Sequence, residues 1–202
     1  MLVAVNWKAF GETVVTLVVI MDPVGAAPIF VTLTRNLDEE SRRRAALRAA
    51  AAALALVLLF AIIGEALLRY LHVSIDSLSI AGGLLLLLLA LEMLRGIDLP
   101  GEDRPGADVA LVPLASPLVA GPGAIVTAIV LARRYATAGG RVSVFLGIVC
   151  AAAVVGIALL IANRVVRRIP PALMDFVTRV LGLLLAAIGV QMILNGIHGS
   201  FG

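Results

Sequence analysis

Asp22 is the residue of this chain whose type and place most call for a chemical explanation. It opens the segment DPVGAAPIF at residues 22–30, inside an apolar stretch that runs from about residue 10 to 33. A variant of the segment, SPLVAGPGAI at 116–125, interrupts a second apolar stretch 94 residues later. Each sets an N-cap residue, Asp22 or Ser116, before a proline, Pro23 or Pro117, and adds a second proline five residues on, Pro28 or Pro122. Asp or Ser at the N-cap followed by Pro at the first helical position is a helix start signal. In mid-span it predicts a helix that stops and restarts inside the bilayer, which is tolerated only where the freed backbone is buried in protein or lines a cavity.

The chemistry open to such a pair of breaks follows from their atoms. Asp22 lies fourteen residues after Lys8 and thirteen before Arg35, about 20 Å from either at 1.5 Å per residue. An ionisable residue at that depth costs about 2.5–3.5 kcal/mol on insertion scales and marks a functional site by default. Helices restarting at Pro23, and at Pro117 or Pro122, would bring two N-termini with partial positive charge and free N–H groups toward the midplane, a seat for a carboxylate. The carbonyls ending the first half-helices, with the Asp22 carboxylate, suit an ammonium group or Na⁺. Together the two poles fit a zwitterion. Gly25, Ala26, Gly121 and Gly123 would line the breaks with almost no side-chain volume, so the ligand expected is small. Thr127, one turn after the second break, is a further candidate lining residue, like Thr32 after the first, although membrane threonines often bond back to their own helix. Asp22 is the expected coupling-ion group, for H⁺ or Na⁺. Capping alone would explain Asp22, and helix packing would explain the small residues.

The elements that position these residues are membrane spans. The 202-residue chain is 61% hydrophobic and 14% charged, too little polar surface to cover a water-soluble domain. A span needs roughly 20 apolar residues, and six are expected at about 10–33, 49–68, 77–94, 109–132, 142–162 and 176–197. The remainder leaves no room for a soluble catalytic or nucleic-acid-binding domain. A cleaved signal peptide is disfavoured, since the leading region offers only Lys8, offset by Glu12, and apolar character resumes at Ile29. Cys150 stands alone, which excludes an intrachain disulfide or dithiol relay. With the N-terminus outside, the inner loops receive eleven Lys and Arg residues and the outer face five, so both termini are expected outside a cytoplasmic (inner) membrane. The segment RNLDEESRRR at 35–44 reads as a solvated loop with a helix start at Asp38 or Ser41.

Spans three and six align at an offset of 99: Asp76 with Asp175, Gly83 with Gly182, Glu92 with Gln191 and Met93 with Met192. Each half reads broken span, loop, apolar span, then an Asp-led span ending in Glu/Gln-Met. The expected fold is an all-α membrane protein of six transmembrane helices in two inverted 3+3 repeats, residues 1–97 and 109–202 with a linker at 98–108, helices 1 and 4 being broken. Three is odd, so the halves insert in opposite senses, an arrangement typical of secondary transporters and of some channels. Glu65 with Arg69, and Glu92 with Arg95, read as ion pairs within their helices. Gln191 and Asn195 read as interhelical hydrogen bonders. His72 and His198 have no partner cluster for a metal site.

DPVGAAPIF in the first span, an Arg-rich loop after it, and PLASPLVAGPGAI opening the fourth span resemble the MarC family (UPF0056 type) of prokaryotic inner-membrane proteins, over essentially the whole chain. The resemblance implies a six-helix protein related to LysE-type exporters, with SnatA-like members acting as small neutral amino acid transporters. The function expected is therefore alternating-access transport of small neutral amino acids such as glycine, alanine, serine or threonine. No cofactor, metal or nucleic acid is expected, the partners are the amino acid and the lipid bilayer, and homo-oligomerisation is left open. A small-solute channel with midplane half-helices is the first alternative. A membrane-embedded enzyme is the second, weakened by the absence of a second carboxylate near Asp22 in sequence.

Overall fold

A computed structural model describes residues 5–95 and 121–201. They form seven helices: α1 (Trp7–Met21), α2 (Pro23–Leu33), α3 (Glu39–Tyr70), α4 (Ile75–Arg95), α5 (Pro122–Arg134), α6 (Ala138–Arg168) and α7 (Pro171–Phe201). Helices α3, α4, α6 and α7 are long and apolar enough to cross a membrane, and α1 with α2 make a fifth crossing if the pair, bent by 42°, is one span. The chain is thus an all-helical membrane protein with four to five spans among the described residues. Helix α5 has 13 residues, about 20 Å of rise, which falls short of a hydrocarbon core of about 30 Å. The expected linker at 98–108 and the first half of the expected fourth span lie outside the described residues.

Helix ends fall where side chains can satisfy the terminal N–H groups. Asn6 caps α1 by accepting from the Ala9 N–H at 3.1 Å, and its own N–H donates to Ser143 Oγ on α6 at 2.8 Å. Asp38 caps α3, with Glu39 and Glu40 in the first turn where the helix dipole favours negative charge. Of the two helix starts expected within residues 35–44, Asp38 is the one used, and the 32 residues of α3 span about 48 Å, more than the hydrocarbon thickness. Helix α3 ends at Tyr70 and the chain turns away at His72, which adopts φ 56°. The N–H groups of His72 and Val73 return to the Arg69 and Leu68 carbonyls at 3.2 and 3.0 Å, closing the last turn.

Among the described residues the first four helices pack chiefly on the last three, with few contacts inside either set. Helix α5 is the most enclosed element, with Gly123, Ala124, Val126, Thr127, Ala128 and Ile129 all buried. The most extensive contact is between α4 and α7, which run antiparallel and approach through glycines. A methyl group on Gly83 would collide with the Gly189 carbonyl and lie 2.8 Å from Ile193 Cγ1. One on Gly182 would lie 3.3 Å from the Ala90 carbonyl and 3.5 Å from Leu94 Cγ. The two sets of contacts are exchanged by an offset of 99, the register in which the sequence of α4 aligns with that of α7. Leu86 and Leu185, paired by the same offset, are both fully buried.

Several expected polar pairs form differently. Glu65 bonds Arg133 on α5 at 2.6 Å instead of Arg69 one turn on, because the α3–α5 contact brings a better-placed guanidinium to it. Glu92 makes no ion pair with Arg95 among the described residues, and both are exposed. Gln191 donates to Asn195 within α7 at 2.9 Å, an i,i+4 bond where an interhelical one was expected.

The glycine contact makes a sharp stability test. Gly83→Val must push α4 and α7 apart, and overpacking of this kind costs about 1–3 kcal/mol. Gly11→Ala, at a helical position with nothing within 4 Å of the added carbon, should be neutral or slightly stabilising. Thermal melting of the purified protein should show a lowered midpoint for the first only.

Candidate functional site

The break between α1 and α2 is built on one residue serving two helices. Asp22 adopts φ 39° and ψ 70°, and its N–H donates to the Val18 carbonyl at 3.2 Å, ending α1. Its Oδ1 accepts the Gly25 N–H at 3.0 Å, and its own carbonyl accepts the Ala26 N–H at 3.0 Å, starting α2. Pro23 fills the first helical position, where a missing N–H costs nothing. The left-handed conformation costs a non-glycine residue roughly 1–2 kcal/mol, least for Asp and Asn. A cap of this type is worth about 1 kcal/mol, so the two nearly cancel. Gly25 is required by the same geometry, since a side chain there would overlap the Asp22 carboxylate.

Asp22 Oδ2 has no hydrogen-bond partner among the described residues, and the residue is half-buried. Inside α2, Pro28 lacks the N–H that would have reached back to the Val24 carbonyl. Thr32 Oγ1 donates to the Pro28 carbonyl at 3.0 Å, bonding back to its own helix. Beside the break lies a cavity of about 290 Å³, lined by Pro23, Val24 and Ala27 of α2 and by Ile161, Val165 and Met174 across from them. Its named side chains are apolar, so polar contacts for a ligand there would have to come from the break itself.

Helix α5 starts beside the end of α1. Gly121 is its N-cap and Pro122 its first residue, and among the described residues no side chain caps its N–H groups. A methyl group on Gly123 would lie 3.5 Å from Ile20 Cγ2, two residues before Asp22, and would collide with Leu86. Gly123 is buried in that packing, Gly121 is half-buried and Pro122 exposed. Thr127 is buried with its hydroxyl on Met192 Sδ of α7 at 3.8 Å, an interhelical contact rather than a bond to its own backbone. Of the sequence candidates, Asp22, Pro23, Gly25, Ala26 and Pro28 share one turn-and-helix segment, and Gly121, Pro122 and Gly123 are brought near it through Ile20. Ser116 and Pro117 lie outside the described residues.

The far end of α5 carries groups that sequence spacing did not pair. Arg134 Nη1 bonds Glu12 Oε1 of α1 at 2.6 Å, and the Tyr135 hydroxyl donates to the other oxygen of Glu12. With Arg133 on Glu65 of α3, two adjacent arginines tie the end of α5 to two different helices. The cavity wall from α6 and α7 was also missed, since its apolar residues look like any others in a span.

Residues 7–201 match the family described as MarC family integral membrane protein. UPF0056 membrane protein MJ1677 of Methanocaldococcus jannaschii is 39% identical over 188 residues, covering 90% of this chain and 92% of that protein. UPF0056 membrane protein PYRAB13050 of Pyrococcus abyssi is 35% identical, covering 96% and 97% of the two chains. UPF0056 membrane protein YhcE of Escherichia coli is 32% identical, covering 97% and 95%. No solved structure matches the chain. Bacterial and archaeal relatives matched over nearly their whole length accord with a multi-pass protein of a prokaryotic inner membrane, and the chain belongs to the MarC family of integral membrane proteins.

Proposed function

We propose that this protein is a secondary transporter of small neutral amino acids, of the glycine, alanine, serine and threonine class, working by alternating access around Asp22. The observation that carries the proposal is the break itself. A carboxylate with one oxygen unpartnered among the described residues sits in a left-handed turn between α1 and α2, next to a small apolar cavity and near the start of α5, which no described side chain caps. The uncapped N–H groups suit a substrate carboxylate, Asp22 and the freed Val24 carbonyl suit its ammonium group, and the cavity suits a short aliphatic side chain. A volume of about 290 Å³ is at the small end for ligand pockets, which run from about 300 Å³ upward.

The overall plan is proposed as six spans in two inverted repeats, residues 1–97 and 109–202, with α5 as the second half of a broken fourth span and both termini outside. The antiparallel α4–α7 contact, whose two sets of glycine contacts exchange at an offset of 99, supports that reading, as does packing chiefly between the two sets of helices. In this scheme the ion pairs of Arg133 and Arg134 hold the end of α5 closed. Their side chains are between about a quarter and half exposed, so each pair is worth no more than about 1 kcal/mol. Such a latch can open within a transport cycle.

Asp22→Asn tests the site, because Asn caps as well as Asp and tolerates the left-handed turn while removing the charge. In proteoliposomes, wild-type protein should take up labelled alanine under an imposed pH or Na⁺ gradient. The variant should fold but lose at least tenfold of that driven flux. Uptake equal in both proteins would reduce Asp22 to a cap, and flux without counterflow or accumulation would favour a channel. Gly25→Ala, which displaces the carboxylate, should lower both transport and melting temperature. The double change Glu12→Gln with Glu65→Gln should raise exchange rates a few-fold with little loss of stability, read as counterflow of labelled alanine.

A further inference from the structure

A second cavity, of about 480 Å³, lies at the opposite end of α5 from the break, between the last turns of α3 and α5 and the first turn of α6. Its charged lining is three arginines, Arg69, Arg133 and Arg141, against one carboxylate, Glu65. Glu65 is already engaged by Arg133 at 2.6 Å. Among the described residues the side chains of Arg69 and Arg141 have neither an ion pair nor a hydrogen bond, so two positive charges face this space uncompensated. Arg141 sits in the first turn of α6, where the helix dipole opposes a cation. A negative ligand would remove that penalty.

The rest of the lining is apolar, including Ala66, Ile129, Phe145 and Ile62, the last 65% exposed on the flank of α3. Apolar wall running from the guanidinium groups onto an exposed helix flank suits a ligand with a charged head and hydrocarbon chains. The helix ends at this level also carry exposed aromatic residues, Trp7 at 76% and Tyr70 at 81%, the residue types that mark a membrane–water interface. Headgroups lie at that depth.

We propose that this cavity binds the phosphate of an anionic phospholipid headgroup, held by Arg69 and Arg141, with the acyl chains against Ile62 and Ala66. Guanidinium groups match phosphate oxygens in paired, charge-assisted hydrogen bonds. Two arginines with no free carboxylate beside them also repel the ammonium of a zwitterionic headgroup. The inference is independent of what the protein transports.

The test uses the purified full-length chain, delipidated in a neutral detergent. Melting is followed while phosphatidylglycerol, phosphatidylcholine, sn-glycerol 3-phosphate or inorganic phosphate is added. Phosphatidylglycerol should stabilise the wild type at concentrations at least fivefold below those needed for phosphatidylcholine, and the two water-soluble phosphates should do little. Arg69→Gln with Arg141→Gln should abolish that preference while leaving the lipid-free melting temperature within a few degrees. If the double variant does not melt cooperatively, each single variant should lose part of the preference. Arg43→Gln with Arg44→Gln, on the other side of the molecule, should keep it. The proposal is overturned if the Arg69 and Arg141 variants keep the preference, if the Arg43 and Arg44 control loses it equally, or if free glycerol phosphate protects as well as the lipid.

Discussion

Hydrocarbon offers no hydrogen-bond partner, so a chain that leaves the helix inside a bilayer must supply its own. Asp22 does this at the break between α1 and α2, ending one helix with its N–H and starting the next with its carboxylate and carbonyl. The local energy is close to balanced, with left-handed strain on one side and the cap on the other. Burial of Ile20 and Met21 before the turn and of Ala26 and Ala27 after it holds the geometry. The result is a carboxylate in a fixed orientation beside a cavity, with Gly25 the residue that makes room for it.

Around this point the helices are held in two ways. Helices α4 and α7 meet backbone to backbone at Gly83 and Gly189, a contact with no flexible side chain to absorb a shift. Helix α5 is enclosed along most of its length, and its far end adds two partly exposed ion pairs and a tyrosine hydroxyl to the buried Leu131 and Ala132. Displacing α4 against α7 must disrupt close packing along their length, and releasing the end of α5 would break two weak ion pairs and also expose the buried Ile129, Leu131 and Ala132.

The helical class and the bend at Asp22 were legible in the sequence because capping residues, proline and apolar runs report local backbone preferences directly, and α5 begins at Pro122, one of the two starts expected there. The alignment of α4 with α7 was legible from Asp, Gly and Met at a constant offset, and the glycine contacts obey that offset. What could not be read was partnership at long range. Glu65 has Arg69 at the favourable i,i+4 spacing, yet it reaches Arg133, 68 residues away. Gln191 and Asn195 had an equally good partner in each other. Gly123 carried no mark to distinguish a ligand contact from close packing under Leu86. Local rules count neighbours along a helix and are blind to what another helix brings alongside.

Packing chiefly between the first four helices and the last three also bears on how the protein is made. When α4 has been synthesised, the glycine face that will receive α7 has nothing to close on, and α3 lacks both α5 and α6. The early helices therefore wait in the bilayer, with their mating surfaces against lipid or the insertion machinery, until the C-terminal part of the chain arrives. Assembly of this kind closes long chain separations in one late step, which makes it slow. A chain stopped after α4 would lack nearly all of the contacts that pack its helices among the described residues, and would leave Glu12 and Glu65 without the arginines that pair them.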